Sequence, residues 1–310
     1  MKKQTLLIFF CLILFSIGGY FAHQRNHYNL TSTAEIRKVK AQLALLSKEE
    51  RKDLEFFFSY ATLFSQYSYT LVHSKPMSIC NFLEWADDLP AMFKNNYQKP
   101  RSKLFFDSLS RGHRAWDKYQ KLFPCKEYPI VSHHQSKSSG LKEISLIHPT
   151  LCKKVIQENI ADFHEVLASP YSAEEIFSII TNPEHPLFYP IIEHHRLLGI
   201  LLGFGRTNAY LFEHKLRDQL TSFTKEWPHW PRKWRLPAFV CNPNTEETQT
   251  LKNTYVIARR HIRWTYLGRN NLEVTLALLE KKPTTSAYHN FDMHPDHCDY
   301  KTHNKNISKD

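Results

Sequence analysis

The chain has 310 residues, 42% of them hydrophobic and 14% aromatic, with 41 Lys+Arg against 30 Asp+Glu for a formal net charge of +11. That composition excludes a disordered chain, and the length supports one large or two small domains with a real core. A sequence pI near 9.2 and eighteen histidines point to an anionic counterpart, which on charge alone is lipid, envelope polymer or nucleic acid.

After a head of residues 1–4 carrying Lys2 and Lys3, the run Thr5 to Ala22 reads TLLIFFCLILFSIGGYFA without a charge. As a helix it would be roughly 27 Å long, close to the hydrocarbon thickness of a thin bilayer. It is apolar all round rather than on one stripe, which argues against a buried core helix. A cleaved signal peptide needs small residues before the cut. Cleavage after Ala22 would put Tyr20 at such a position, and cleavage after Gly18, with Ser16 upstream, is the better alternative. An uncleaved, single-pass anchor over 5–22 is therefore favoured. Lys2 and Lys3 argue for the N-terminus inside and an extracytoplasmic body, against Arg25, Arg37, Lys38 and Lys40 on the other side. Outside the anchor Cys80, Cys125, Cys152, Cys241 and Cys298 are widely spaced with no CxxC. An extracytoplasmic domain could form two disulfides from them and keep one thiol.

Ser32 with Glu35 makes a capping box ahead of the helical stripe Ile36, Val39, Leu43 and Leu46, and Ser47 with Glu50 makes another ahead of Leu54, Phe57, Ala61 and Phe64. The first could instead be a coiled-coil stalk, but two heptads are too few to say so. Residues 69–78 read as a loop or short strand, because Pro76 pushes Lys75 toward extended geometry. Helices are expected over Cys80 to Phe93 and Arg101 to Phe123. Two short extended runs, Glu127 to Ser132 and Glu143 to His148, flank the polar linker HHQSKSSG and predict a hairpin. Helical pattern returns over Thr150 to Leu167, Ser172 to Ile180, Pro186 to about Leu202 and Thr207 to Thr224. WPHWPRKWRLP, from Trp227 to Pro237, must be irregular because its prolines break any ladder. Leu251 to Ile262 is helical, and Leu272 to Leu279 fits a strand or a helix. The fold expected is mainly α, with α+β as the alternative: a multi-helix soluble domain over 31–281 with a small β-hairpin, a sub-boundary near 133–142, and a mobile His-rich tail over 282–310.

Only eight glycines occur, yet Gly199, Gly203 and Gly205 cluster in LLGILLGFGRTNAYLF. A phosphate turn would use Gly203, Gly205, Arg206 and Asn208, but GxGxxG fails at Asn208 and no Walker lysine follows. A helix ending in a left-handed glycine is the favoured reading. This segment and YTLVHSKPMS resemble phrases in uncharacterised, N-terminally anchored proteins of Chlamydia-like bacteria. The resemblance implies an apolar N-terminal segment and carries no activity, cofactor or catalytic residue.

Glu184, His185, Glu193, His194 and His195 crowd a helix start, the residue types of a metal hydrolase or acid–base pair, although HExxH is missing and neighbouring histidines point about 100 degrees apart. His294, His297 and Cys298 have ligand chemistry for a soft cation, but a flexible tail pays entropy to enclose one. Trp230, Arg232, Lys233, Trp234 and Arg235 combine aromatic faces with cations, which suits a membrane interface or single-stranded nucleic acid. No GxSxG occurs, and no cofactor is expected. The leading expectation is a non-enzymatic, membrane-anchored binding or structural module for an anionic surface or a protein partner. The alternatives are a hydrolase or phosphate-handling enzyme using the Glu184 to His195 and Gly203 region, and nucleic-acid binding through Trp227 to Arg235, which an extracytoplasmic domain disfavours.

Overall fold

A computed structural model of the protein describes Gly19 and residues 29–83, 100–125, 127–134, 141–223 and 236–281. Among these are twelve α-helices and two small antiparallel sheets, so the protein is mainly α. The expected capping boxes start α1 (Thr33–Leu43) and α2 (Lys48–Leu63): Ser32 and Ser47 each accept from the backbone of the glutamate three residues on, which returns the bond. Val39 and Leu43 of α1 are buried, which removes the stalk reading. A short helix α3 (Tyr67–Leu71) follows where a loop or strand was expected.

The expected helix over Cys80 to Phe93 is corrected at its start, because Met77–Leu83 forms strand β1; residues 84–93 lie outside those described. The cause is pairing. The predicted hairpin forms from β2 (Ile130–His134) and β3 (Leu141–Ile147), and β1 fills the other edge of β3 in the order β1-β3-β2. Cys80 then sits opposite Ile144 and Met77 opposite Ile147. Tertiary pairing outweighs the ambiguous period of a short apolar run.

The sheet divides the core. Cys80, Ile144 and Leu146 face a cluster built from α1, α2, α3, the long helix α4 (Pro100–Tyr119), α11 (Glu246–Tyr266) and α12 (Asn271–Leu279). Met77, Val131 and Ile147 face the second cluster, built from the shorter helices between 149 and 213. The run Leu272 to Leu279 resolves as helix, capped by Asn270 accepting from Glu273 N.

Where α4 crosses α2, Gly112 leaves no room: a Cβ there would lie 2.4 Å from the Asp53 carbonyl oxygen and 2.5 Å from Phe57 Cβ. Gly112→Ala is expected to cost about 1–3 kcal/mol despite alanine's better helix propensity, since the clash is with backbone. Urea unfolding checks it, and an unchanged midpoint would contradict the close crossing.

Three long helical predictions break into shorter pieces. Thr150 to Leu167 becomes α5 (Pro149–Glu158) and α6 (Ile160–Leu167), and Pro186 to Leu202 becomes α8 (Phe188–Ile192) and α9 (His195–Leu201). Between these pairs α7 (Ala173–Ile180) forms as expected, on a third capping box of Ser172 and Glu175. Thr207 to Thr224 shortens to α10 (Arg206–Glu213), which stops because Lys215 takes φ +58 and lets Leu216 N donate to Leu211 O. Beyond it, strands β4 (Thr221–Ser222) and β5 (Val240–Cys241) pair antiparallel.

Cys80, Cys125, Cys152 and Cys241 are all free thiols, so no disulfide forms among the described cysteines. Burial pushes the Cys80 thiol up to about 12, which leaves it unreactive. No helix among the described residues is long and apolar enough to cross a membrane. The run 5–22, apart from Gly19, the Trp230 to Arg235 patch and the tail residues His294, His297 and Cys298 lie outside the described residues.

Candidate functional site

The glycine-rich segment makes a compact helix–turn–helix. Gly203 N donates to Ile200 O at 2.9 Å and Phe204 N to Gly199 O at 3.0 Å, while Gly203 takes φ +70. This is the left-handed glycine cap expected from sequence. Gly205, at φ +89, then opens α10. The freed N–H groups at that helix start do bind an anion, but it belongs to the chain. Arg206 N and Thr207 N donate to the two oxygens of Glu247 at 2.7 and 3.0 Å. A Cβ on residue 205 would lie 2.7 Å from the Glu247 carboxyl carbon. The place a phosphate would take is therefore held by a carboxylate, and Gly205 is required to let it in.

Arg206 and Asn208 have structural partners of their own. Asn208 is buried; its Nδ2 donates to Phe204 O and Thr248 Oγ1, and its Oδ1 accepts from Asn242 N. Arg206 Nε donates to Asp162 at 2.6 Å. The same Asp162 accepts from Arg196 Nη1, which also bonds Glu165, and Arg196 Nε lies 3.1 Å from Glu213. This ion network ties α6, α9 and α10 together behind a cleft of about 680 Å³.

The acid–histidine cluster does not converge. Glu184 and His185 line a groove of about 630 Å³ with His133, His134, Asp117 and Lys142. His194 lies in the ionic cleft, its Nε2 3.1 Å from Glu213. His195 faces a third groove, and Glu193 is exposed. No group of three His, Cys, Asp or Glu among the described residues could hold a metal ion. His194 is the extended N-cap of α9 and His195 its first helical residue, so the two neighbours leave the backbone in different directions.

The third groove, about 440 Å³, has the wall chemistry of a ligand site. His195, Leu198, Gly199 and the C-cap Leu202 form one face of α9 at helical spacing; Asn208, Ala209 and Phe212 come from α10; Val240 comes from β5, and Ala238 and Phe239 from the two residues before it. A Cβ at Gly199 would lie 2.8 Å from Ala209 Cβ, so glycine sets how closely α9 and α10 approach. Phe204 forms part of the wall, stacked on Phe239 at 4.6 Å, and Phe239 stacks on Phe223 at 4.4 Å. Phe212 and Val240 remain 37% and 39% exposed, leaving apolar surface at the mouth. Asn208 is satisfied elsewhere, so it offers little to a ligand's polar end.

Sequence reasoning found Gly199, Gly203 and His195 but not Phe204, Phe212 or Phe239, whose only sequence signal was aromatic character. The two phrases LLGILLGFGRTNAYLF and YTLVHSKPMS meet here: a Cβ at Gly203 would lie 2.8 Å from Pro76 Cδ, and Lys75 Nζ sits 5.0 Å from the Phe204 ring centre. Comparison with models of known protein families, with characterised proteins and with solved structures gave no match.

Proposed function

We propose that this is a membrane-anchored binding protein that takes a hydrocarbon chain in the groove between α9, α10 and β5. The groove carries the reading: a concave wall of Leu198, Leu202, Phe204, Phe212, Phe239 and Val240 with few polar groups suits an apolar ligand better than an ionic one. The apolar run 5–22 supports a single-pass anchor with the helical domain outside the cytoplasm. A net charge of +11 favours anionic lipid headgroups as the surface beside which the domain works.

Binding of the apolar dye N-phenyl-1-naphthylamine, and its displacement by phosphatidylglycerol, tests the groove. Phe212 is partly exposed, so Phe212→Asp should fold while placing a charge at the mouth, and is expected to weaken dye binding about tenfold or more, the equivalent of about 1.4 kcal/mol. Equal affinity in the two proteins would refute the groove as the site. Carbonate extraction of membranes, with a reporter fused at Asp310, tests the anchor and its orientation; release of the full chain into the soluble fraction would remove it.

A further inference from the structure

Lys75 is 1% exposed, and no carboxylate among the described residues pairs with it. Its Nζ donates to Gln66 Oε1 at 2.7 Å and otherwise lies over the Phe204 ring, 5.0 Å from the centre. A lysine buried without a counter-charge is costly and is better tolerated as the neutral amine. The structure gives it a definite address. Lys75 ends the turn into β1, with its N–H donating to Tyr69 O at 3.3 Å. Pro76 is wedged against Gly203. Phe204, the ring that covers the amine, is also a wall of the apolar groove. The same ring thus contacts both a buried primary amine and the groove.

Resting on the reading of that groove as a hydrocarbon site, we infer that Lys75 is the covalent anchor for an aliphatic aldehyde, whose chain lies in the groove and whose carbonyl carbon meets Nζ when the Phe204 ring swings aside. The nitrogen lone pair adds to the carbonyl carbon and a proton moves from nitrogen to oxygen, giving a carbinolamine. Loss of that hydroxyl as water leaves a C=N bond. The step needs no oxidant or reductant, and water reverses it. Burial holds the amine at about 7, so much of it is free base at neutral pH. A surface lysine keeps only about one molecule in a thousand or fewer unprotonated there, which makes Lys75 the selective nucleophile. The apolar wall chooses a hydrocarbon-bearing carbonyl over a sugar or keto acid, whose hydroxyls or carboxylate would be stranded.

The test incubates the full chain in detergent with decanal and cyanoborohydride at pH 7 and maps N-decyl groups by peptide mass spectrometry. Saturable modification at Lys75, far ahead of the exposed lysines, is expected. Lys75→Met should bind N-phenyl-1-naphthylamine as the wild type does and lose the preferential adduct. Phe212→Asp should lose both dye binding and the preference for decanal. Modification spread over surface lysines with Lys75 untouched, while dye still binds, would overturn the anchor and leave the groove standing. Loss of dye binding from the wild type would instead sink the groove reading itself, and with it this assignment of the aldehyde's chain.

Discussion

Asp162→Ala is expected to destabilise the domain by about 1–3 kcal/mol, the cost of a buried guanidinium losing one of its carboxylate partners while Glu213 keeps the other side of it. Asp162 is 2% exposed and is shared by two guanidinium groups. They differ in what they lose. The Arg206 side chain is 59% exposed and can turn to water; that of Arg196 is 7% exposed and cannot. Glu165 also reaches Arg196, but its side chain is 67% exposed and screened. Arg206→Met should therefore cost about 1 kcal/mol or less. Replacing both buried partners, as in Asp162→Leu with Arg196→Met, should recover part of the loss, because the second change removes a buried guanidinium that Asp162 no longer pairs while Glu165 and Glu213 lose theirs. Urea denaturation of the four proteins measures this. An Asp162→Ala midpoint equal to the wild type, or no recovery in the double variant, would show that the network does not hold α6, α9 and α10 together.

The parts of the fold legible in the sequence are those fixed by local chemistry. Ser32 with Glu35 and Ser47 with Glu50 announce α1 and α2 because a capping box is a contact between residues three apart. Helix ends were less legible where no glycine marks them. Ala168 at φ +51 and Lys215 at φ +58 end α6 and α10 in a conformation that neither side chain advertises. Strand β1 was misread because its partner lies some sixty residues away, and nothing within Met77–Leu83 encodes β3. The candidate site divides the same way. Gly203 and Gly205 declared a backbone need, and the favoured reading of a helix end is what the turn does. That Glu247 fills the helix start, and that Phe239 completes the groove wall, depend on chain that returns from beyond residue 235. Lys75 carried a signal that could have been used: it is the only Lys, Arg, Asp or Glu between Glu55 and Glu84. A lone charge in so apolar a stretch is either at a surface turn or buried, and only tertiary packing decides between them.

That burial predicts how stability should follow pH. Burial lowers the Lys75 amine from the ordinary 10.5 to about 7. Between those values the unfolded chain holds a proton that the folded chain has released, so stability should rise as pH increases across that window. Below about pH 7 both states are protonated and the full penalty of the buried ammonium is felt; above 10.5 both are neutral and it vanishes. The total is of order 3–5 kcal/mol, with a slope near 1.4 kcal/mol per pH unit at its steepest. Cys80 and Cys125, pushed up to about 12 by burial, work in the opposite sense above pH 9, since the unfolded thiols ionise first. Comparison with Lys75→Met cancels that background. Methionine fills similar space, removes the ammonium and meets the Phe204 ring with a polarizable sulfur. The variant is expected to exceed the wild type most at or below pH 7 and to approach it by pH 10. Urea midpoints for both proteins at half-unit steps from pH 6.5 to 10, in the ordinary buffers for that range, give the difference curve. Two parallel curves would mean that the Lys75 ammonium carries no burial penalty, and the argument for a free amine behind Phe204 would go with it.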